Sequence, residues 1–450
     1  MRAVFAGLIF AFCCSAASLS AGAAKRTVTP DFTRHAPVYL AGFGNNRVAT
    51  GVHDDLYARC IAFRAGLGRP LVICGVDSIG LFFDDVKAIR GMVEGADVIV
   101  TATHDHEAPD TMGLWGPDRT RSGINAGYLD YVVERTAEAA AAAVAALEPA
   151  SVRLASATSP ELDKLIHDTR PPVRHDSGII ALAAVSTSGK PIGTLVNWAN
   201  HPEALGSKNT LITADYLAAF HSVMENTLGG VSVFCNGAVG GMQSPLGAKL
   251  TDWTGAAIEP ETFRFADVVG LRAAEIAANA IARAPRAGIE AITFQEKVIA
   301  IPMTNPGFEL AMKAGIFRGR KQPNRDGTSN TPVGYVRFEG AAGPVLEIAL
   351  VPGELYPELS VGGIERYAGA DHPDAPLEPA IKQQMRARFR MLFGLANDEI
   401  GYIIPKAEWD DKAPWLQNAG KRWYGEVNSI GPEAAPMITA AFAELVRTAA

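Results

Sequence analysis

Two histidines and two acids stand together in the stretch Thr101-Ala102-Thr103-His104-Asp105-His106-Glu107-Ala108-Pro109. Neutral imidazole is the commonest side-chain metal ligand, and histidine is also the usual carrier of protons near neutral pH. Residues at i and i+2 of an extended chain point to the same side, so His104 and His106 can face one cavity. The segment just before them, Ala96 to Val100, is short, apolar and β-branched, and reads as a buried strand. The chain holds 9 histidines, so two of them within three residues past a core strand favour a site over a polar loop.

The same arrangement recurs. His201 is the first strongly polar side chain after the apolar run Ile192 to Trp198, within Asn197-Trp198-Ala199-Asn200-His201-Pro202-Glu203. Glu354 follows the strand predicted over Val345 to Val351, and Tyr402 lies in the short strand predicted over Glu399 to Pro405. Two histidines and a carboxylate are an ordinary three-ligand set for a hydrolytic zinc. Spacing leaves their convergence open. His53 and Asp77 also follow apolar runs, but a cap or a buried polar contact explains them equally well.

The elements that must position these residues read as α/β. Strands over Cys60 to Phe63 and Pro70 to Val76, a helix over Asp84 to Glu94 and the strand before His104 suggest a βαβ unit, and folds of this kind place sites past strand ends. Tyr128 to Leu147 reads as a scaffold helix stopped at Pro149. Strands follow over Val152 to Ala157, Ile179 to Val185 and Ile192 to Trp198. Thr213 is a plausible cap for a helix running to Glu225. Val231 to Cys235 is a further strand, followed by Asn236-Gly237-Ala238-Val239-Gly240-Gly241-Met242, whose small residues imply a tight turn or a close backbone approach. No Lys-Ser/Thr follows those glycines, so this is not a phosphate loop. Glu261 to Arg283, Pro379 to Phe393 and Ala434 to Thr448 are predicted helices. Asn305 to Pro332 reads as a surface excursion or lid. The polar loop Leu165 to Ser177 offers Arg170 and Arg174 either to a polar substrate group or to solvent. The patch Arg422 to Glu426 offers Tyr424 as a substrate contact.

Composition narrows the class. With 48% hydrophobic and 20% charged residues the chain is globular, and a net charge of -7 without basic clusters argues against a nucleic-acid partner. Arg2, the apolar run Ala3 to Ala17 and the small residues ending Ala21-Gly22-Ala23 form a secretory leader pattern, cut near Ala23. No later stretch is apolar for long enough to span a bilayer. Beyond the leader, Cys60, Cys74 and Cys235 read by default as buried free thiols, with one bridge as the alternative.

The order of motifs resembles the neutral/alkaline ceramidase family of zinc amidohydrolases. Its Thr-His-Thr-His-Ser-Gly-Pro pattern is similar to Thr103 through Pro109. Its Asn-Trp-x-x-x-His resembles Asn197 to His201, one residue shorter. Its Ser-Ala-Asp/Asn resembles Thr213-Ala214-Asp215, and its Val-Pro-Gly-Glu resembles Val351 to Glu354. Its Gly-Tyr-x-x-x-x-x-Glu-Tyr resembles Gly401-Tyr402 through Glu408-Trp409, and its Tyr-Glu-Gly with a later Gly-Pro resembles Tyr424-Gly425-Glu426 with Gly431-Pro432. The resemblance runs from about Val38 to the end. It implies a mixed β-sheet core flanked by helices, one zinc held by His104, His201, Glu354 and Tyr402, and His106 beside it as a catalytic or orienting residue. Two features depart from the family. Its C-terminal β-sandwich has no counterpart after residue 450. Gly240 also stands where the family carries its catalytic serine, leaving the backbone N–H groups around Val239 to Gly241 as an oxyanion site and Ser244 as the nearby hydroxyl.

The reading is an exported, single-domain α/β zinc hydrolase, with residues 1–23 as leader and 24–450 as the catalytic domain. It would cleave a linear amide of a small or lipid-like N-acyl substrate by attack of water. A zinc esterase or lactonase, and a non-catalytic metal-containing binding protein, are the alternatives.

Overall fold

The computed structural model describes residues 19–449. Among these residues nine strands form one large, mixed sheet. Its order runs Val231–Asn236, Pro191–Trp198, Ile179–Ser186, Glu148–Ala157, Leu19–Thr27, Tyr57–Ala65, Leu71–Val76, Asp97–Ala102, with the short Arg286–Ala287 paired to Glu148–Ala157. The pairs at both ends of the order are parallel, and the pairs between are antiparallel. The Leu71–Val76, Phe83–Met92, Asp97–Ala102 unit is the expected βαβ.

Residue alternation explains why this sheet is buried on both faces. Along Tyr57–Ala65, Ala58, Cys60 and Ala62 face a core shared with the helices Ala126–Ala145, Tyr216–Leu228 and Phe263–Arg283, while Ile61 and Phe63 face the other way. There they meet Val336, Phe338, Leu346 and Met391 of a second sheet, ordered Ala291–Pro302, Thr328–Gly340, Gly343–Leu350, Phe389–Phe393. Each fully buried Phe, Leu or Ile of this interface contributes about 1.5–3 kcal/mol. The outer face of the second sheet carries Tyr335 and Ala349 against Ile438 and Phe442 of the closing helix Ala434–Thr448. The layers are helix, sheet, sheet, helix.

The large sheet curls, so that Val231–Asn236 lies against Tyr57–Ala65, Leu71–Val76 and Asp97–Ala102 as well as beside Pro191–Trp198. A Cβ at Gly75 would sit 2.3 Å from the Phe234 carbonyl oxygen, so a glycine is needed at that approach. This curl brings the chain leaving Asp97–Ala102 towards the chain leaving Pro191–Trp198.

Several expectations are corrected. Phe389–Phe393 is a strand, preceded by the short helix Ile381–Gln384, where a helix over Pro379 to Phe393 was predicted. Parallel pairing with Gly343–Leu350 and burial of Phe389, Met391 and Phe393 override local helix propensity. The Asn305–Pro332 excursion contains the helix Pro306–Lys313, capped by the Asn305 side chain, and ends inside the strand Thr328–Gly340. Asp215, at φ 51°, caps Tyr216–Leu228, whereas Thr213 donates to Asp54. Cys60 and Cys74 are directly opposite in adjacent strands and form a disulfide, and Cys235 is a buried free thiol. Most of the predicted leader lies outside the described residues, while Leu19 to Ala23 belong to a strand paired to Ala65 through Ile61. Among the described residues no helix is long and apolar enough to cross a membrane.

Candidate active site

The curl of the large sheet is fastened by Asn236, the first polar residue past Val231–Cys235 and fully buried. Its Nδ2 donates to the Thr103 carbonyl at 2.9 Å and the Asn200 carbonyl at 3.0 Å. Its Oδ1 accepts from the backbone of Asn200 at 3.1 Å and Gly237 at 3.0 Å. The residues just before His104 and His201 are thereby tied to one side chain. His106 N–H donates to the Pro202 carbonyl at 3.0 Å, a second strap between the loops.

His104, His106 and His201 converge, each offering a ring nitrogen, with these atoms all within 4.8 Å of one another. His104 takes a left-handed backbone at φ 67°, uncommon for a residue with a side chain. Its Nδ1 lies 2.7 Å from the Ile79 carbonyl, and the Nδ1 of His201 lies 2.5 Å from the Gln243 carbonyl. Those contacts engage Nδ1 of each ring and turn both Nε2 atoms into the cluster. Both Nε2 atoms face Glu354 Oε2, at 3.5 Å from His104 and 3.1 Å from His201. Glu354 begins the two-residue strand Glu354–Leu355, which pairs in parallel with Tyr402–Ile403 and sets Tyr402 opposite it. Buried, and facing the Glu354 charge, the Tyr402 phenol is held well above its ordinary range; its hydroxyl also reaches Met242 Sδ at 3.4 Å.

Charge is unevenly distributed over the cluster. Burial works against a charged His201, but the hydrogen bond to Glu354 and the charges of Glu203 and Glu354 outweigh it and raise its pKa to about 9. Burial works against an ionised Glu354, and the charges and hydrogen bonds of His104 and His201 bring it down to about 2. His106 differs. Burial and the neighbouring His104 and His201 push it well below its ordinary value. The acids flanking it in sequence do not raise it, because Asp105 accepts from the Glu107 backbone and Glu107 engages Arg47 and Asn209. Its acid is Glu203, with Oε2 3.1 Å from Nδ1 but off the hydrogen-bond direction, so both ring nitrogens lack a hydrogen-bond partner. Gly42, at φ 88°, packs on the ring: a Cβ there would meet His106 Cγ at 2.2 Å.

A cavity opens beside these groups. His104, His106, Glu354 and Tyr402 line it together with Tyr424, and the remaining wall is mainly apolar, built from Phe82, Met112, Trp115, Phe308, Met312 and Phe317. Phe308, Met312 and Phe317 come from the excursion after Asn305, which therefore covers the site. Glu399 and Lys321 are the other ionisable groups of the lining. Burial, then the charge of Glu354, holds the Glu399 carboxyl well above its ordinary range.

Other sequence candidates do not reach the cavity. Arg170 is buried and fully engaged, donating to Tyr356 Oη at 2.9 Å, Glu426 Oε2 at 2.8 Å and the Glu408 carbonyl at 3.2 Å. Arg174 is exposed and pairs with Glu365 at 3.1 Å. Gly240 is buried away from the cavity: a Cβ there would meet Tyr356 Cδ1 at 2.4 Å and the Leu355 carbonyl carbon at 2.7 Å, so a serine would not fit. Ser244 is buried beside Glu203, and its Oγ accepts from Leu246 N–H at 3.0 Å. His53 is partly exposed and stacks on Phe263, and Asp77 pairs with Arg59 at 2.7 Å. Residues that the sequence reading passed over are Asn236, Glu203, Glu399 and Gly42. Asn236 carried the same signal as His201, a first polar residue past an apolar strand.

A mixed, curled sheet between helices and a second sheet, with a buried His/Glu/Tyr cluster at its strand ends, defines an α/β fold with the site where that class places it. The particular fold is that of the neutral ceramidases. A neutral ceramidase from Pseudomonas aeruginosa superposes with a TM-score of 0.71 at 16% identity, over 96% of this chain and 74% of that one. A ceramidase complexed with C2 gives 0.72 at 14% identity, over 96% and 75%. No family model matches the sequence, and no curated protein matches it. The fold is thus shared at low sequence identity.

Proposed function

We infer that the chain is a zinc-dependent hydrolase of linear amide bonds, acting on an N-acyl amide or ceramide-like substrate. The observation that carries this is the convergence of His104, His201, Glu354 and Tyr402, with His106 beside them, next to a mainly apolar cavity that His104, His106, Glu354 and Tyr402 line. The ceramidase fold supports the amide class. The donor set fits zinc: two imidazoles whose Nε2 atoms face one carboxylate oxygen, that carboxylate and a phenol, all buried. When bound there, zinc polarises a carbonyl oxygen and lowers the pKa of a water to about 7.

The chain's own residues supply the rest. The apolar wall takes the acyl chain and excludes bulk water. His106, its pKa pushed down by burial and the neighbouring histidines, accepts the proton of the attacking water and returns it to the leaving nitrogen. Glu203 faces its Nδ1 and steadies the ring in its charged form. Tyr424, about half exposed with its ring 5.9 Å from that of Tyr402, offers a donor to the carbonyl oxygen as negative charge grows. Gly240 has no role in this scheme, and the nucleophile is water rather than a serine.

Export also belongs to this reading. The Cys60–Cys74 bridge suits an oxidising compartment. The leader proposed for this export is residues 1–23.

The test is hydrolysis of N-acyl amides of graded chain length by zinc-loaded and zinc-depleted protein. Cleavage of esters without amides would favour the esterase or lactonase. Bound zinc without turnover on either panel would favour the binding protein.

A further inference from the structure

An apolar cavity fixes the orientation of its ligand through a few convergent polar groups. Beyond the residues already placed around the metal and the carbonyl, the ionisable groups of this cavity are Lys321 and Glu399. Lys321 is committed: its Nζ is paired with Asp398, whose carboxylate also accepts from Thr331 at 2.8 Å and from Phe83 N–H at 3.0 Å. Glu399 is half committed. Its Oε1 accepts from Gly401 N–H at 2.8 Å, and its Oε2 is buried with no partner. The side chain is only 4% exposed and lies beside Gly80 and Met112, on the apolar wall. A buried carboxyl oxygen left unpaired costs free energy that a ligand donor can recover. The Gly401 bond uses the other oxygen, so the contacts of the described residues leave Oε2 without a role.

We propose that Glu399 is a specificity-determining residue, whose free Oε2 hydrogen-bonds a hydroxyl carried by the acyl chain near its carbonyl. The cavity would then select hydroxyacyl over plain acyl substrates; this rests on the cavity being the seat of the acyl chain.

Undecyl methyl ketone and its α-, β- and γ-hydroxy derivatives are uncleavable stand-ins for a dodecanoyl group, and their binding to the zinc-loaded protein can be measured by calorimetry. One of the hydroxy ketones should bind roughly 10-fold or more tightly than the plain ketone, as a site built around a hydroxyl rejects the analogue without it. Glu399→Met, compared at measured zinc content and expected to melt somewhat lower because it gives up the Gly401 bond, should bind the same pair equally, and Glu399→Gln should retain a preference. Equal binding of all four ketones by the wild type, absence of binding by any, or a preference that survives in Glu399→Met overturns the proposal. The wild-type panel is decisive even if Glu399→Met fails to fold. Ketone binding is separate from turnover. A hydroxyl preference without amide hydrolysis would refute the hydrolase and leave Glu399 standing; amide hydrolysis without the preference would do the reverse.

Discussion

Asn236→Ala is the substitution that most directly probes how the site is assembled. The side chain makes four hydrogen bonds, three of them to the residues preceding His104 and His201. After truncation the Asn200 carbonyl keeps the Tyr216 hydroxyl at 2.7 Å, and Gly237 N–H keeps the Trp198 carbonyl at 3.0 Å. The Thr103 carbonyl and the Asn200 N–H keep no partner and no access to water. Two orphaned buried groups at roughly 1–2 kcal/mol each give a loss of about 2–4 kcal/mol. Loosening a partner of the ligand-bearing loops should also weaken zinc binding about 10- to 100-fold. Asn236→Asp separates the two halves of the role, since it keeps the accepting oxygen but turns a carboxylate towards the Thr103 and Asn200 carbonyls; it should be no more stable than the alanine variant. Urea unfolding of metal-free protein reads the first effect, and zinc titration against a competing chelator reads the second. A stability change under about 0.5 kcal/mol, the size expected of an ordinary surface substitution, together with unchanged zinc affinity would refute the idea that Asn236 holds the two loops in register.

Further outcomes follow from the same geometry. His106→Ala should keep most of its zinc and lose about 100-fold or more in kcat; loss of metal as complete as in His104→Ala, by elemental analysis, would make His106 a ligand. Ser244→Ala should leave kcat near wild type, and a trapped acyl-enzyme on Ser244 would restore a serine mechanism. In metal-free protein the His201–Glu354 pairing stabilises the fold between the two shifted values: the His201 part is lost as pH rises through about 9, and the Glu354 part as pH falls through about 2. Zinc binding near neutral pH should therefore release about one proton from His201, read calorimetrically in buffers of different ionisation heat, and the release should fade above pH 9. No release near neutral pH would contradict the raised His201.

His104, His201, Glu354 and Tyr402 were legible because each lies at or near the end of an apolar run, and in this fold such ends meet. Asn236 gave the same signal and was passed over because an amide suggests no chemistry by itself. The Cys60–Cys74 pair was also within reach: a hairpin turning at Gly66 to Gly68 sets those two residues opposite each other. Other features depend on distant chain segments. The wall made by Phe82, Met112 and Phe317 draws on three separate loops, and Phe389–Phe393 is a strand only because Gly343–Leu350 offers it an edge. Arg170 looked like a free arm in a polar loop, but its partners Tyr356 and Glu426 lie 186 and 256 residues further along.

The central claim is that this buried cluster hydrolyses amides through a bound zinc. Its most direct test is mass-spectrometric detection of acid and amine from an N-dodecanoyl amide, with wild type, His201→Ala and Glu354→Ala compared at measured zinc content. We expect about one zinc per wild-type chain, the value for a mononuclear site, with turnover that disappears on chelation and returns with zinc, and with both variants losing most metal and activity. Full zinc occupancy in the two variants, or wild-type protein that holds zinc and cleaves no amide, would contradict it.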